Sequence, residues 1–148
     1  GGATEVEMIE KKHRVEDSLE AVRAAMSEGI VPGGGTTLLL CQDFTIDAEN
    51  DDQLLGAQII RKSLEAPVRQ MAKNAGQSAD IIIEKIKSKN KRNKPGKSKM
   101  GWDFKNDCMV NMTDVGIVDP AKVTRIALQN SVSVASTLVT TNNAVIEV

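Results

Sequence analysis

The fold of this 148-residue chain is decided by one stretch near its start, Gly29-Ile30-Val31-Pro32-Gly33-Gly34-Gly35-Thr36-Thr37. Proline and consecutive glycines are costly inside a helix, so this stretch predicts a turn between two helices. Gly29 is expected just past the end of the first helix, where a left-handed backbone costs glycine little. The amides of a glycine turn can also face a phosphate. Glycine clusters more often mark plain turns, and the stretch alone favours that interpretation.

On the N-terminal side of the turn, the sequence predicts one long helix ending near Glu28. Apolar residues recur there at helical spacing, and charged residues occupy the other positions. Residues Glu5–Ile9 instead alternate between acidic and apolar side chains. That alternation predicts a short strand leading into the helix.

Two acidic residues, Glu16 and Asp17, lie in the middle of this predicted helix. One interpretation is a solvated carboxylate paired with Arg14 or Arg23 around the helix. The other is a carboxylate that orients a nucleophilic water or holds a metal beside a nucleotide. Their spacing alone favours the solvated pair.

Beyond the glycine turn, apolar periodicity predicts helices over about residues 54–75 and after Ser78. Pro67 either kinks the first of these or opens a second helix after Glu65-Ala66. Residues 87–99 contain basic residues, Pro95 and Gly96, but no acidic and no large apolar residue. This composition predicts a flexible, solvated basic loop at 87–99. A contact of this loop with an anion or a nucleic acid is the less favoured alternative.

The C-terminal third predicts β-structure followed by a helix. Two short apolar runs, 102–104 and 108–112, flank a polar turn and are typical of a β-hairpin. Asp119 and Pro120 predict a helix start, with the aspartate as its cap. Residues 144–148 predict a closing strand. We therefore predict a mainly α, multihelical fold with a small β-hairpin and short terminal strands.

The composition argues against several functional classes. Aromatic residues make up only 2% of the chain, which argues against stacking surfaces for single-stranded nucleic acid. Cys41, Cys108 and His13 show no zinc-ligand spacing, and we expect two reduced, buried thiols. No apolar run approaches the ~20 residues that span a bilayer. We expect neither a membrane nor a nucleic-acid partner.

The order of the motifs along the chain resembles a group I chaperonin, the GroEL type. The resemblance covers essentially all 148 residues. The segments that carry it are Gly1–Glu7, Lys11–Asp17, Ala24–Gly35, Glu65–Gln70, Asn74–Gly76, Gly116–Arg125, Ala127–Asn130 and Ser133–Ser136.

The resemblance implies a subunit of a homo-oligomeric ring that uses ATP and Mg²⁺ to assist protein folding. Residues 1–28 then correspond to the C-terminal part of the intermediate, or hinge, domain, and 29–148 to the C-terminal half of the equatorial ATPase domain. The apical domain, which in the family binds unfolded proteins and the co-chaperonin, is not among these segments. We expect a fragment of a longer, cytoplasmic or organellar ATPase that is inactive by itself.

The resemblance also implies roles for individual residues. Asp17 matches the hinge carboxylate that orients the attacking water and helps at the metal. Gly34 matches a backbone contact to the nucleotide, and Asp119 matches the ribose contact. The hairpin residues that match the adenine contact are Asp103, Phe104 and Lys105. Glu5 matches an acid that pairs with a neighbouring subunit.

The hairpin departs from the family pattern. The common bacterial form is Asn-Ala-Ala, whereas this chain has Asp103-Phe104-Lys105. An aspartate keeps an acceptor but loses the side-chain donor of asparagine, and the next two residues are bulkier. This departure motivates an alternative in which a truncated or paralogous chaperonin scaffold assembles or binds partners without ATP turnover. A nucleic-acid binder that uses the basic loop is a more distant alternative.

Overall fold

A computed structural model describes residues 1–91 and 99–146. They form two compact units. Unit 1 comprises Gly1–Ile30 and Pro120–Val148, and unit 2 comprises Val31–Asp119. The elements are α1 (Glu5–Glu28), β1 (Ile30–Pro32), α2 (Thr36–Leu40), α3 (Asp51–Ser63), α4 (Ala66–Asn74), α5 (Ala79–Asn90), β2 (Met100–Asp103), β3 (Cys108–Asn111), β4 (Val118–Pro120) and α6 (Ala121–Val139). The fold is mainly helical, as predicted, with two two-stranded sheets, β1–β4 and β2–β3.

The start of unit 1 corrects one prediction, because Glu5–Ile9 belongs to α1 and not to a strand. The hydroxyl of Thr4 accepts a hydrogen bond from the backbone N–H of Glu7 at 3.2 Å, which caps the helix. Glu5 and Glu7 lie in the first turn, where their negative charges interact favourably with the positive end of the helix dipole. A cap and two acids thus outweigh the alternating pattern.

In unit 1, the end of α1 is fixed to the start of α6. Gly29 ends α1 with φ 81°, as predicted, and its carbonyl accepts from the N–H of Ala121 at 3.0 Å. Arg125 donates two hydrogen bonds to the carboxylate of Glu28, at 2.6 and 3.0 Å. This pair lowers the pKa of Glu28. Neither helix has a buried residue.

The break between α3 and α4 settles the role of Pro67, which lies in the first turn of α4. The missing proline N–H costs nothing there, because the first N–H groups of a helix have no partner within it. At the other end of α3, the Asn50 side chain accepts from the N–H of Gln53 at 2.9 Å, and the Gln53 side chain accepts from the N–H of Glu49 at 2.9 Å. This reciprocal capping starts α3.

Helix α5 extends further than the sequence pattern predicts, because residues 87–90 are helical. Lys87 forms an ion pair with Glu65 at 2.7 Å. Asn90 is buried and its amide donates to the carbonyls of Ile86 and Met100 at 2.8 and 2.9 Å. The prediction of a loop is therefore wrong for 87–90. Residues 92–98 of the predicted loop lie outside the described residues.

The hydrophobic core lies in unit 2. Its members come from α2, α4, α5 and β2, and they are Leu39, Val68, Ala72, Ile82, Ile83, Ile86 and Trp102. The predicted hairpin is confirmed: β2 and β3 are antiparallel, with Met100 opposite Asn111 and Asp103 opposite Cys108. Asp107, at the end of the connecting turn, has a left-handed backbone with φ 54°.

Three further expectations are corrected. Asp119 lies in β4 and does not cap α6, whose N-cap residue is Pro120 with no side-chain hydrogen bond. Residues 144–146 form no strand, and 147–148 lie outside the described residues. Cys41 and Cys108 are free thiols, but both are exposed. Within the described ranges, none of the helices is long and apolar enough to cross a bilayer.

Candidate functional site

The glycine turn of unit 2 is closely packed where the side chains of Gly34 and Gly35 would project. Gly34 and Gly35 have left-handed backbones, with φ 62° and 69°. A Cβ added to Gly34 would lie 2.7 Å from Met112 Cε, and one added to Gly35 would lie 2.9 Å from Val68 Cγ2. Both the conformation and the space therefore require glycine here.

Asp119 lies directly against this turn. A Cβ on Gly33 would be 3.1 Å from Asp119 Oδ1, and the N–H of Gly33 donates to the carbonyl of Ile117 at 2.9 Å. Burial raises the pKa of Asp119. Across residues 1–91 and 99–146, its carboxylate has no hydrogen-bond or ion-pair partner, so half-buried acceptor oxygens remain free beside the glycine backbone.

The β2–β3 hairpin also lies close to this turn. A Cβ added to Gly34 would lie 3.9 Å from the carbonyl oxygen of Trp102. The structure thus brings Gly34 close to the strand that leads to Asp103, while Asp119 lies against the preceding residue, Gly33. Of the predicted nucleotide contacts, Gly34 lies in the glycine turn, and Asp119 lies in β4 beside the preceding turn residue, Gly33.

Asp103 is engaged within the hairpin. One carboxylate oxygen accepts from the backbone N–H groups of Lys105 and Asn106 at 2.9 and 3.2 Å, and the other accepts from the Asn106 side chain at 2.7 Å. These hydrogen bonds lower the pKa of Asp103, and the bond from the Asn106 side chain has the largest effect. The carboxylate therefore shapes the turn. Phe104 packs against the core, whereas Lys105 is exposed.

Asp17 and Glu5 belong to unit 1, where both are exposed on α1. The two arginines that the sequence offered as partners of Asp17 are engaged elsewhere. Arg14 pairs with Glu10 at 2.8 Å, and Arg23 pairs with Glu20 at 2.6 Å. Among the residues that the structure describes, Asp17 has no ion pair.

Three features near the site were not predicted from the sequence. Thr36 is fully buried, and its hydroxyl has no hydrogen-bond partner among the residues that the structure describes. It leaves no room for a side chain on Gly101 in β2. Glu65 accepts hydrogen bonds from Lys87, Arg69 and Gln42. These three donors outweigh the opposing effect of burial and lower the pKa of Glu65 to about 2.

The third unpredicted feature is a side chain that bridges the hairpin, Gln77. It bonds to both Trp102 and Asp107. No local pattern could reveal contacts between residues 25 and 30 positions apart.

The described residues do not form a metal site by themselves, since no three His, Cys, Asp or Glu side chains come together in the part of the chain that the structure covers. Mg²⁺ in nucleotide sites is often held by one or two carboxylates together with phosphate oxygens. A single free carboxylate such as Asp17 fits that role as one ligand among several.

A sequence model of the TCP-1/cpn60 chaperonin family matches residues 1–148, the whole of the chain. The chain therefore belongs to the TCP-1/cpn60 chaperonin family. Membership supports a chaperone role for the protein.

Proposed function

We propose that this chain is the C-terminal part of a group I chaperonin subunit, which assists protein folding in a ring by hydrolysing ATP. In this proposal, residues 1–28 belong to the hinge domain and 29–148 to the ATPase domain. Other parts of the subunit bind unfolded proteins and the co-chaperonin, and the protein works in the bacterial cytosol or an organelle matrix. Membership of the chaperonin family supports this assignment.

The single observation that carries the proposal is the meeting of the glycine turn with Asp119. A phosphate chain needs backbone that it can approach closely, and glycine provides it. A ribose hydroxyl needs an acceptor, which acidic residues supply in other nucleotide sites. Oδ1 of the free Asp119 carboxylate lies 3.1 Å from the position of a Gly33 Cβ, so the groups that would meet the two requirements are neighbours.

The exposed carboxylate of Asp17 supplies the hydrolytic step in this proposal. ATP binding to unit 2 favours a closed state in which the helix that carries Asp17 has moved to the phosphates. There the carboxylate accepts a hydrogen bond from the attacking water and orients it. Mg²⁺, when bound with ATP, supplies neutralising charge at the phosphate oxygens. A carboxylate that acts only in the closed state couples hydrolysis to domain movement.

The hairpin favours a second candidate, a chaperonin scaffold that assembles without ATP turnover. Both carboxylate oxygens of Asp103 are already used inside the turn. Phe104 packs against the core. Together with Lys105, it stands where the family commonly has two small residues that would meet the base. This candidate predicts ring assembly with no hydrolysis above a contaminant control.

The experiment replaces Asp17 by Asn in the complete subunit. Nucleotide affinity and single-turnover hydrolysis are measured side by side on wild type, Asp17→Asn and the control Glu16→Gln. Glu16 is the neighbouring exposed acid and pairs only weakly with Lys12, at 3.6 Å. We expect Asp17→Asn to lower hydrolysis by ~100-fold or more, the usual scale for a positioned acid–base group.

ATP binding and ring assembly should survive in Asp17→Asn, because the side chain is exposed and the nucleotide is held by unit 2. Glu16→Gln should hydrolyse ATP like wild type. Hydrolysis near the wild-type rate in Asp17→Asn would contradict the proposed role of this carboxylate. An equal loss of binding and folding would show that Asp17 is instead a structural residue.

A further inference from the structure

Gln77, in the link between α4 and α5, makes two contacts that the proposed function does not use. Its Oε1 accepts a hydrogen bond from Trp102 Nε1 at 3.1 Å. Its Nε2 donates to Asp107 Oδ1 at 2.8 Å. Trp102 lies in β2 and Asp107 ends the turn before β3, so one amide group bridges the hairpin from strand to turn.

The two residues that Gln77 contacts differ in how many other interactions hold them in place. Trp102 is buried in the core, and Lys85 Nζ lies 4.6 Å from the centre of its ring. Asp107 is exposed. Within residues 1–91 and 99–146, Gln77 is the only side chain from outside the hairpin that hydrogen-bonds to residues 103–108. It therefore ties the exposed end of the turn to the fixed core.

This turn contains the segment 103–105, which begins directly after Trp102 at the edge of the glycine turn. We propose that Gln77 is a positioning residue: by bridging Trp102 and Asp107 it fixes residues 103–105 and so sets the base selectivity of the nucleotide site. This inference rests on the proposed function, because it assumes that a nucleotide base meets the hairpin.

The chemistry of the bridge explains why the residue is glutamine. The indole N–H of Trp102 can only donate, and the ionised carboxylate of Asp107 can only accept. A neutral side-chain amide satisfies both partners at once. A glutamate at this position would still accept from Trp102, but it would place a second negative charge beside Asp107.

The test measures the affinities of the complete subunit for ATP and GTP. The variants are Gln77→Ala, Gln77→Glu and the control Gln70→Ala, which removes a glutamine that bonds to Asn74 on the surface of α4. We expect both Gln77 variants to lose about threefold to tenfold of the preference for ATP over GTP, the scale of one or two hydrogen bonds. Gln70→Ala should keep the wild-type preference.

A double variant separates positioning from a general loss of stability. Combining Gln77→Glu with Asp107→Asn reverses the direction of the hydrogen bond, because the asparagine donates and the glutamate accepts. Asparagine also tolerates the left-handed backbone at position 107, with φ 54°. We therefore expect the double variant to recover most of the ATP preference that Gln77→Glu loses.

An unchanged ATP preference in both Gln77 variants would overturn the inference. So would an equal loss of both nucleotides with no recovery in the double variant, because that result is expected of a merely structural residue. If wild type binds ATP and GTP equally well, the inference about base selectivity is also overturned, although the proposed ATP binding is not contradicted. Wild type that binds no nucleotide would instead contradict the proposed function.

Discussion

The two units differ in where their apolar side chains lie. In the described chain, every buried hydrophobic residue belongs to unit 2. Helix α5 alone buries Ile82, Ile83 and Ile86, whereas α1, twice as long, buries none. Leu19 and Val22, on the apolar stripe of α1, remain 53% and 56% exposed. Unit 2 therefore has its own core, and unit 1 is held by a pair of helices and an ion pair at their ends.

This difference also separates the two parts of the proposed chemistry. Residues that would hold the nucleotide are fixed by close packing in unit 2, where even a methyl group on the glycine turn meets other atoms. Asp17, which would act on water, lies on an exposed face of unit 1. A group that must act in only one conformational state belongs on the less constrained part of the molecule, because an enzyme's moving elements come from its less stable regions.

The largest expected effect tests whether unit 2 alone has a core. Ile86→Ala removes a fully buried side chain and should lower the free energy of unfolding by ~2–5 kcal/mol. Leu19→Ala, on the exposed stripe of α1, should change it by less than ~0.5 kcal/mol. Chemical denaturation followed by circular dichroism, which reports on the helices of both units, measures both variants. The fluorescence of Trp102, the single tryptophan of this chain, reports on unit 2 in the same samples. Equal losses in the two variants would remove the contrast between the units.

Glycine substitutions sharpen the same comparison within unit 2. Gly35→Ala places a methyl group 2.9 Å from Val68 Cγ2 on a backbone with φ 69°, and should cost about 1–3 kcal/mol. Gly56→Ala, in α3, adds a methyl group with no atom of the described residues within 4 Å, and should stabilise the helix by about 0.5–1 kcal/mol. Thermal denaturation of both variants should therefore shift in opposite directions. A stabilised Gly35→Ala variant would show that the glycine turn is not closely packed.

The sequence could predict features that depend on local chemistry. Proline and glycine predicted the turn at Gly33–Gly35, and the polar residues between two apolar runs predicted the hairpin. At Pro67 the sequence left open a kinked helix or a new one, and the structure has a new helix there. Contacts distant in sequence explain the misses. Helix α5 continues through Lys87, whose ammonium group donates a hydrogen bond to the carboxylate of Glu65, 22 residues earlier. Asp119 was predicted as a helix cap, but strand pairing places it beside Gly33 and leaves its carboxylate free.

The hydrogen-bonded carboxylate of Glu65 predicts a pH dependence of the free energy of unfolding. Its pKa is about 2 in the folded chain and 4.5 as an ordinary carboxyl, so its hydrogen bonds stabilise the fold fully above pH 4.5. This contribution is lost as the pH falls towards 2. Glu65→Gln should therefore be less stable at neutral pH by about 1–3 kcal/mol and should lose less on acidification.

The matched control for Glu65 is Glu20→Gln, which breaks the exposed pair with Arg23 in unit 1. Exposed pairs contribute only ~0–1 kcal/mol, so its unfolding curve should follow wild type at every pH. Urea titrations at a series of pH values give both comparisons. If Glu65→Gln loses as much free energy of unfolding on acidification as wild type does, other carboxylates cause the pH dependence.

We propose that unit 2 holds a nucleotide and that Asp119 accepts a hydrogen bond from a ribose hydroxyl. A cycle of affinities tests it most directly in the complete subunit: wild type and Asp119→Asn, each with ATP, 2′-deoxy-ATP and 3′-deoxy-ATP. If the contact exists, one deoxy analogue binds wild type about threefold to tenfold more weakly than ATP, the scale of a hydrogen bond to a charged group. In Asp119→Asn, that analogue and ATP should bind almost equally. If removing the hydroxyl weakens binding by the same factor in both proteins, Asp119 does not contact the ribose and the account is contradicted.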